Sequence, residues 1–213
     1  MNIQKNRSLK DYNTFMVDVT AKEFVEVNNN NDVLKLFNQN IFKKDFLILS
    51  GGSNTLFTKD FEGIVIHPNI LGKSIVKEDD KYVLIEVNCG ENWEDFVKWS
   101  VDNSYLGLQN LANIPGNCGA TPVQNVGAYG VEVKDVIEYV EYFDLEDGKF
   151  KILQNSECEF GYRDSIFKHK LKSKSLITKV CFKLQRWEKG KDVPDQYLQY
   201  GGIINQLDSN YKK

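Results

Sequence analysis

The sequence predicts a fold that mixes strands and helices, of the α/β or α+β class, and two patterns indicate it. Near the N-terminus, residues 24–27 form a strand candidate, residues 33–37 have the spacing of a short amphipathic helix, and residues 45–49 form the apolar run of a buried strand. In the second half, the apolar-rich runs at residues 136–145 and 149–153 flank an Asp-Gly turn, a strong hairpin signal. We therefore expect a β-α-β unit followed by hairpin-connected strands.

The other elements follow in chain order. A helix is expected over residues 92–100, with Trp93, Phe96, Val97 and Val101 on one face. The charged residues 73–81 mark the boundary between two lobes. Further strands are expected at residues 16–19, at residues 63–68 where Pro68 ends the run, and at residues 82–87 and 176–184.

Composition excludes several classes of protein. The 213 residues are 41% hydrophobic and 12% aromatic, which fits one large or two modest globular domains. The net charge of −3 argues against a nucleic-acid partner. No signal peptide or apolar run of membrane length is present, so we expect a cytoplasmic protein with free thiols and no membrane contact. The spacing of the four cysteines does not make a zinc site, and no metal is expected; they are Cys89, Cys118, Cys158 and Cys181.

The stretch over residues 111–132, LANIPGNCGATPVQNVGAYGVE, is the most unusual part of the chain. It holds four glycines and two prolines but no Lys, Arg or Asp, in a chain that is 27% charged. Glycine allows close approach of the backbone to a ligand, and a glycine-rich loop can aim several amides at one anion. A turn between domains with no ligand would have the same composition, so both interpretations stay open.

A second glycine loop, residues 50–55 (SGGSNT), follows the predicted strand at residues 45–49. In α/β sheets, ligands bind at the carboxyl ends of strands. The loop lacks the lysine of a P-loop and the spacing of a GxGxxG motif. It fits an anion-binding turn or an ordinary connection.

A third motif, GYRDSIFK at residues 161–168, contains Arg163 next to Asp164. A surface ion pair is the usual role of such an arginine. Together, however, these segments resemble the UDP-N-acetylenolpyruvoylglucosamine reductase (MurB) family. The matching residues are Ser8-Leu9 with Asn13-Thr14-Phe15, then Gly52-Ser53-Asn54, IPGNCGATPVQNVGAYGVE, GYRDSIFK and Tyr200-Gly201, so that the resemblance runs from about Ser8 to Gly202.

The resemblance implies an α+β, two-lobed FAD-binding fold of the vanillyl-alcohol-oxidase/PCMH type. The lobes would be residues 1–72 and 73–202, with a polar tail at residues 203–213. The cofactor would be FAD, held around its pyrophosphate and flavin ring. The cofactor-binding residues implied are Ser50, Gly51, Gly52, Ser53, Asn54, Thr55, Pro115, Gly116, Gly119, Ala120, Gln124, Gly127 and, against the ring, Ile177.

The resemblance also implies the reaction. NADPH would reduce FAD, and the reduced flavin would send hydride to the enolpyruvyl group of UDP-N-acetylglucosamine enolpyruvate, giving UDP-N-acetylmuramate for peptidoglycan synthesis. Arg163 would be catalytic, because a fixed guanidinium stabilises the charge that develops on the carboxylate. Tyr129 and Tyr200 would contact the substrate. We expect the chain to act as a monomer.

One departure from the family accompanies these matches. Family members carry a further C-terminal portion with a serine general acid and a glutamate, and this sequence ends at Lys213 before either could occur. We therefore expect FAD binding, with turnover lowered on the order of 10²–10⁴-fold without a placed proton donor. Two alternatives remain: an oxidase of the same superfamily with another substrate, and a non-catalytic FAD- or nucleotide-binding remnant.

Overall fold

The computed structural model of the chain describes residues 1–188, and its first sheet uses the N-terminal third. The strand order is β1-β2-β4-β3; β2 and β3 run parallel to β4, and β1 is antiparallel to β2. The helix α1 (Asn30–Asn38) connects β2 to β3. Its N-cap is Asn29, whose side chain accepts a hydrogen bond from the Asp32 amide. The strands are β1 (Ile3–Ser8), β2 (Thr20–Val27), β3 (Phe46–Ile48) and β4 (Phe61–Pro68).

The second sheet is antiparallel and has the order β11-β10-β12-β6-β5, with β7 paired to the end of β12. A separate hairpin is formed by β8 and β9. The helix α2 (Trp93–Asp102) follows β6. The strands are β5 (Lys73–Glu78), β6 (Tyr82–Asn88), β7 (Tyr105–Leu106), β8 (Gly127–Ala128), β9 (Val131–Glu132), β10 (Ile137–Asp144), β11 (Lys149–Gln154) and β12 (Ser175–Arg186). Short 3-10 helices lie at Lys10–Tyr12, Ile41–Lys43, Gln109–Leu111, Cys118–Ala120, Val133–Asp135, Asn155–Glu157 and Ile166–Lys168.

Over residues 1–188, one mixed and one antiparallel sheet with two α-helices make this an α+β fold, as expected. The two sheets share a core, because α1 packs between them and the ring of Phe37 lies 5.5 Å from that of Phe143 on β10. The first sheet ends at Pro68 and the second begins at Lys73. The division of the chain into lobes at residues 72 and 73 stays a prediction. Neither α1 nor α2, the α-helices of residues 1–188, has the length and apolar character needed to cross a membrane.

The helix α2 shows one correction to the predicted core. Trp93, Phe96 and Val97 are buried as expected, whereas Val101 is 43% exposed. Ser100 takes the fourth buried position, because it is seven residues after Trp93 and donates its hydroxyl to the Val97 carbonyl at 2.8 Å.

The strand predicted at residues 16–19 is wrong. The Asn13 side chain donates to the Val17 carbonyl at 3.0 Å and accepts from the Val17 amide at 3.0 Å. These local bonds hold a turn in which Met16 has a positive φ of 54°. Hydrogen bonds from an asparagine side chain to the nearby backbone compete in this way with the backbone pairing of a strand. The strand β2 therefore begins only at Thr20.

Candidate active site

A cavity of about 590 Å³ lies where the two glycine loops meet. We call residues 50–55 the first loop and residues 111–132 the central loop. The size falls within the range of about 300–1,000 Å³ that is usual for small-molecule sites. Twelve of the thirteen predicted cofactor residues line it: Ser50, Gly51, Gly52, Ser53, Asn54, Thr55, Pro115, Gly116, Gly119, Ala120, Gln124 and Ile177.

The first loop leaves the edge strand β3 and turns sharply at Gly52. This residue has a φ of +64°, and a Cβ on it would lie 2.1 Å from the Tyr12 carbonyl oxygen, so no other residue fits. The amides of residues 51–54 donate to no acceptor within the described part of the chain. A row of such amides next to a left-handed residue is the geometry of an anion-binding nest.

The central loop is held by the connection between β6 and α2. The Trp93 amide donates to the Gly116 carbonyl at 3.0 Å, and the Cys118 amide donates to the Glu91 carbonyl at 2.8 Å. Gly116 has a φ of +124°, and a Cβ on it would meet no atom within 4 Å. Its backbone therefore faces open space in the cavity. These two loops fit a pyrophosphate, because both present backbone to the cavity and no carboxylate is among the described residues that line it.

The third wall of the cavity was not predicted, apart from Ile177. It comprises Phe167, Lys168, Leu171, Ser173, Ser175 and Ile177, from the segment that leads into β12. Lys168 is the one charged residue among those that line the cavity, and its Nζ donates to the Arg163 carbonyl at 2.8 Å. Periodicity could not reveal this wall, since only the pairing of β12 with β10 and β6 brings it to the loops.

The cavity contains a thiol that is not set up as a nucleophile. Cys89 lines the wall beneath Gly119, where a Cβ on the glycine would lie 2.4 Å from the cysteine Cβ. Burial raises the pKa of the Cys89 thiol to about 12. Burial also raises the pKa of Cys118 well above its ordinary value. Both groups are therefore neutral thiols near neutral pH, and a neutral thiol is a poor nucleophile.

Arg163 lies beside the cavity and does not line it. Arg163 is exposed as a whole. Its guanidinium donates to the carbonyl of Gly127 and, at 3.5 Å, to the carbonyl of Asn125. The ring of Tyr162, 86% exposed, lies 5.8 Å from the guanidinium carbon. We call Gly127, Tyr162 and Arg163 the Arg163 cluster. Gly127, predicted at the cofactor, belongs to this cluster and does not line the cavity.

A two-residue turn presents Arg163 to solvent. Gly161 and Asp164 exchange backbone hydrogen bonds of 3.0 and 3.2 Å, and Arg163 between them has a φ of +52°. The turn is tied to the central loop, because the buried Ser165 hydroxyl donates to the Val123 carbonyl at 2.6 Å. His169 hydrogen-bonds to Asp164 and lowers the pKa of that carboxyl. A non-glycine residue keeps a positive φ only where its surroundings fix it. The hydrogen bonds around this turn therefore hold Arg163 in a defined conformation.

Of the two tyrosines predicted to contact the substrate, one lies within the described residues and the other does not. Tyr129 is 55% exposed at the tip of the β8–β9 hairpin, whose first residue, Gly127, accepts from Arg163. Tyr200 lies outside the described residues. Their contact with a substrate stays a prediction.

A cavity lined by glycine-rich backbone, with a guanidinium beside it, suits a phosphate-containing ligand. The chain belongs to the FAD binding domain family, which matches residues 21–154. It is 44% identical over 210 residues to the UDP-N-acetylenolpyruvoylglucosamine reductase of Flavobacterium johnsoniae, covering 99% of this chain and 60% of that protein. The resemblance found in the motifs is thereby confirmed.

Solved structures agree on the fold. The crystal structure of the UDP-N-acetylenolpyruvylglucosamine reductase (MurB) of Thermus caldophilus matches with a TM-score of 0.68 at 25% identity, over 88% of this chain and 64% of that chain. A solvent-stable cholesterol oxidase matches at 11% identity with a TM-score of 0.60, over 86% of this chain and 38% of that chain. The predicted FAD-binding fold is confirmed. The chain spans about three fifths of the length of the curated relatives it matches.

Proposed function

We propose that this chain binds FAD in the cavity and acts in the NADPH-dependent reduction of UDP-N-acetylglucosamine enolpyruvate to UDP-N-acetylmuramate, a step of peptidoglycan synthesis. One observation carries the proposal. Two glycine loops about 60 residues apart in the sequence converge on a single cavity, and twelve of the thirteen cofactor-binding residues implied by the reductase family line it. The cytoplasm, which holds NADPH and nucleotide sugars, is the location that fits this role, and we propose that the chain acts there as a monomer.

The residues of the cavity divide the binding task. The amides of residues 51–54 and the backbone at Gly116 would hold the pyrophosphate, since these residues line the cavity and the amides of residues 51–54 have no acceptor within the described part of the chain. Apolar side chains, among them Ile114, Val123 and Ile177, would pack against the ring system and exclude water. FAD, when bound, supplies the hydride-transfer chemistry that no side chain can provide.

Arg163 would act on the substrate from outside the cavity. Its guanidinium has N–H donors left over after bonding to the Gly127 and Asn125 carbonyls. A carboxylate next to it would be held, and charge developing there during reduction would be stabilised. Tyr129 and Tyr200 are the aromatic residues we propose for further substrate contacts.

The test is the visible absorption spectrum of the purified chain with added FAD. Flavin bands that bleach with NADPH without oxygen, and return with the enolpyruvyl-UDP-sugar faster than with dioxygen, would support the reductase. Bands that return only with dioxygen would favour an oxidase with another substrate. A chain that takes up no FAD would contradict the whole proposal.

A matched pair of variants tests whether FAD binds in this cavity. Asn54 lines it and donates to Gln124 Oε1 of the central loop at 3.0 Å, whereas Asn38 is exposed at the end of α1. Asn54→Ala should weaken FAD binding about three- to tenfold, the range expected for one polar contact. Asn38→Ala should leave the dissociation constant unchanged. Equal effects of both variants would argue against FAD binding in this cavity.

A further inference from the structure

We propose that Asn117 is a positioning residue of the cavity, whose side-chain amide fixes the first loop against the central loop. This inference rests on the proposed function, because the backbone donors that it positions are those that would hold the pyrophosphate of FAD. Asn117 is not among the residues that the reductase resemblance implied.

The Asn117 amide uses both of its ends to connect three segments. Its Oδ1 accepts from the Ser50 hydroxyl at 2.9 Å, and its Nδ2 donates to the Gly90 carbonyl at 2.7 Å. The Gly90 carbonyl can only accept, so the Nδ2 atom must face it and the oxygen must face Ser50. One side chain thus connects the first loop, the central loop and the turn after β6.

The backbone of Asn117 is itself firmly held. Asn117 forms an isolated antiparallel bridge with Asn92, the N-cap of α2. On either side, the Gly116 carbonyl accepts from Trp93 at 3.0 Å and the Cys118 amide donates to Glu91 at 2.8 Å. The side chain therefore extends from the second sheet, which is the larger one, toward a loop of the first.

Few hydrogen bonds fix the position of the first loop, although Gly52 packs against the backbone of Tyr12. The loop leaves β3, a three-residue strand at the edge of its sheet, and the amides of residues 51–54 have no acceptor in the described chain. Gly51 lies directly against the Asn117 side chain, since a Cβ on Gly51 would be 3.0 Å from Asn117 Oδ1. Within the described residues, two side-chain hydrogen bonds join the first loop to the central loop, and the Ser50–Asn117 bond is less exposed than the Asn54–Gln124 bond.

The consequence is a loop that is set in place before a ligand binds. A site whose donors are already positioned binds more tightly, because no ordering has to accompany binding. Removing the Asn117 amide would leave the Gly90 carbonyl and the Ser50 hydroxyl without this partner, and the first loop would move more freely.

The experiment compares Asn117→Ala with Ser50→Ala, the double variant and Asn155→Ala. Asn155 is the matched control, because its Nδ2 donates to the Lys134 and Ile137 carbonyls, each at 2.7 Å, away from the cavity. Loop order is measured without FAD as the backbone NMR order parameters of residues 51–54, because these amides lack the hydrogen bonds that would protect them from exchange. The dissociation constant of FAD is measured separately. The Ser50 variant severs the connection from the loop side and leaves the Asn117–Gly90 bond intact.

We expect the order parameters of residues 51–54 to fall from the rigid range of about 0.85 to below about 0.6, and FAD affinity to fall about tenfold, in Asn117→Ala. Ser50→Ala should act the same way, and the double variant should add little, because both remove one contact. Asn155→Ala should lower the melting temperature without changing either readout. Unchanged order parameters in Asn117→Ala, or fully additive single effects, would overturn the inference. If the parent chain takes up no FAD, the proposed function fails while the order parameters still decide the role of Asn117.

Discussion

The cavity and the Arg163 cluster are neighbours built in opposite ways. Among the described residues that line the cavity, Lys168 is the charged one, and the others are glycines, uncharged polar residues and apolar residues. The Arg163 cluster consists of an exposed guanidinium bonded to two carbonyls, beside a tyrosine ring that is 86% exposed. Ligand binding in the cavity depends on the shape of the backbone, whereas the chemistry of the Arg163 cluster depends on a single side chain.

This difference indicates that cofactor retention and substrate chemistry can be separated by mutation. Backbone donors survive most side-chain changes, so FAD binding should fail mainly where a new atom collides with the loops. Charge stabilisation at the cluster depends on one guanidinium and should be lost when that group is changed. The predictions below test this separation.

The largest expected effect is that of Arg163→Lys. An ammonium cannot contact two carbonyls and a carboxylate along separate edges, as a guanidinium does. Reoxidation of the reduced flavin by the enolpyruvyl-UDP-sugar should slow about 10²–10³-fold, the usual loss for one such donor. The dissociation constant of FAD should stay within about twofold of the parent value. Stopped-flow absorbance at the flavin band measures the rate.

Arg186→Lys is the control for this variant. Arg186 donates to the Asp79 carbonyl at 3.1 Å and pairs with Glu78 at the other end of β12. It should change neither the rate nor the affinity. If Arg163→Lys lowered FAD affinity as strongly as the rate, the cluster and the cavity would not be separate units.

The second prediction compares two glycines of the cavity. Gly52→Ala places a Cβ 2.1 Å from the Tyr12 carbonyl oxygen, a backbone atom that cannot move alone. The free energy of unfolding should fall by about 3 kcal/mol, and FAD binding should be lost. Gly116→Ala meets no atom within 4 Å but must adopt a φ of +124°, so about 1–2 kcal/mol of backbone strain is expected.

Urea unfolding of both variants checks this order. A smaller loss in Gly52→Ala than in Gly116→Ala would show that the first loop can yield, contrary to the packing against residues 12 and 13. The collision with Tyr12 could not be inferred from sequence, although Gly52 belongs to a segment that matches the reductase family and Tyr12 directly precedes another.

The sequence predicted those strands that bury apolar side chains. β3, β4, β6 and β12 carry such runs and were expected near their observed positions. β1 and β5 were not expected, because β1 lies at a sheet edge with mostly exposed polar residues and every residue of β5 is exposed. Edge strands of this kind are stabilised by backbone pairing alone and leave no alternation to detect.

The candidate site was predictable only to the level of its loops. Glycine content and the position after a strand indicated the first and central loops, and family resemblance supplied their ligand. Asn117 and Lys168 lie in the matched motifs but have no role assigned from sequence, because their roles depend on which chain segments lie within 3 Å of them in the fold. Arg163 was found by motif, but its placement outside the cavity was not.

The smallest expected effect concerns Lys168, which connects the two regions. Lys168→Met keeps the length of the side chain and removes the charge nearest to the proposed pyrophosphate. An exposed charge contributes little in water, so FAD affinity should fall only about two- to fivefold, and its dependence on salt should become shallower. Titration of FAD at low and high ionic strength measures both quantities.

Lys170→Met is the matched control, since Lys170 lies two residues away, pairs with Glu159 and does not line the cavity. Equal changes in both variants would assign the effect to overall charge and not to the cavity wall. Lys168 also donates to the Arg163 carbonyl at 2.8 Å, so its removal could loosen the turn that presents the guanidinium. If Lys168→Met slowed flavin reoxidation far more than it weakened FAD binding, this hydrogen bond would couple the two regions, and their separation would hold only while Lys168 is in place.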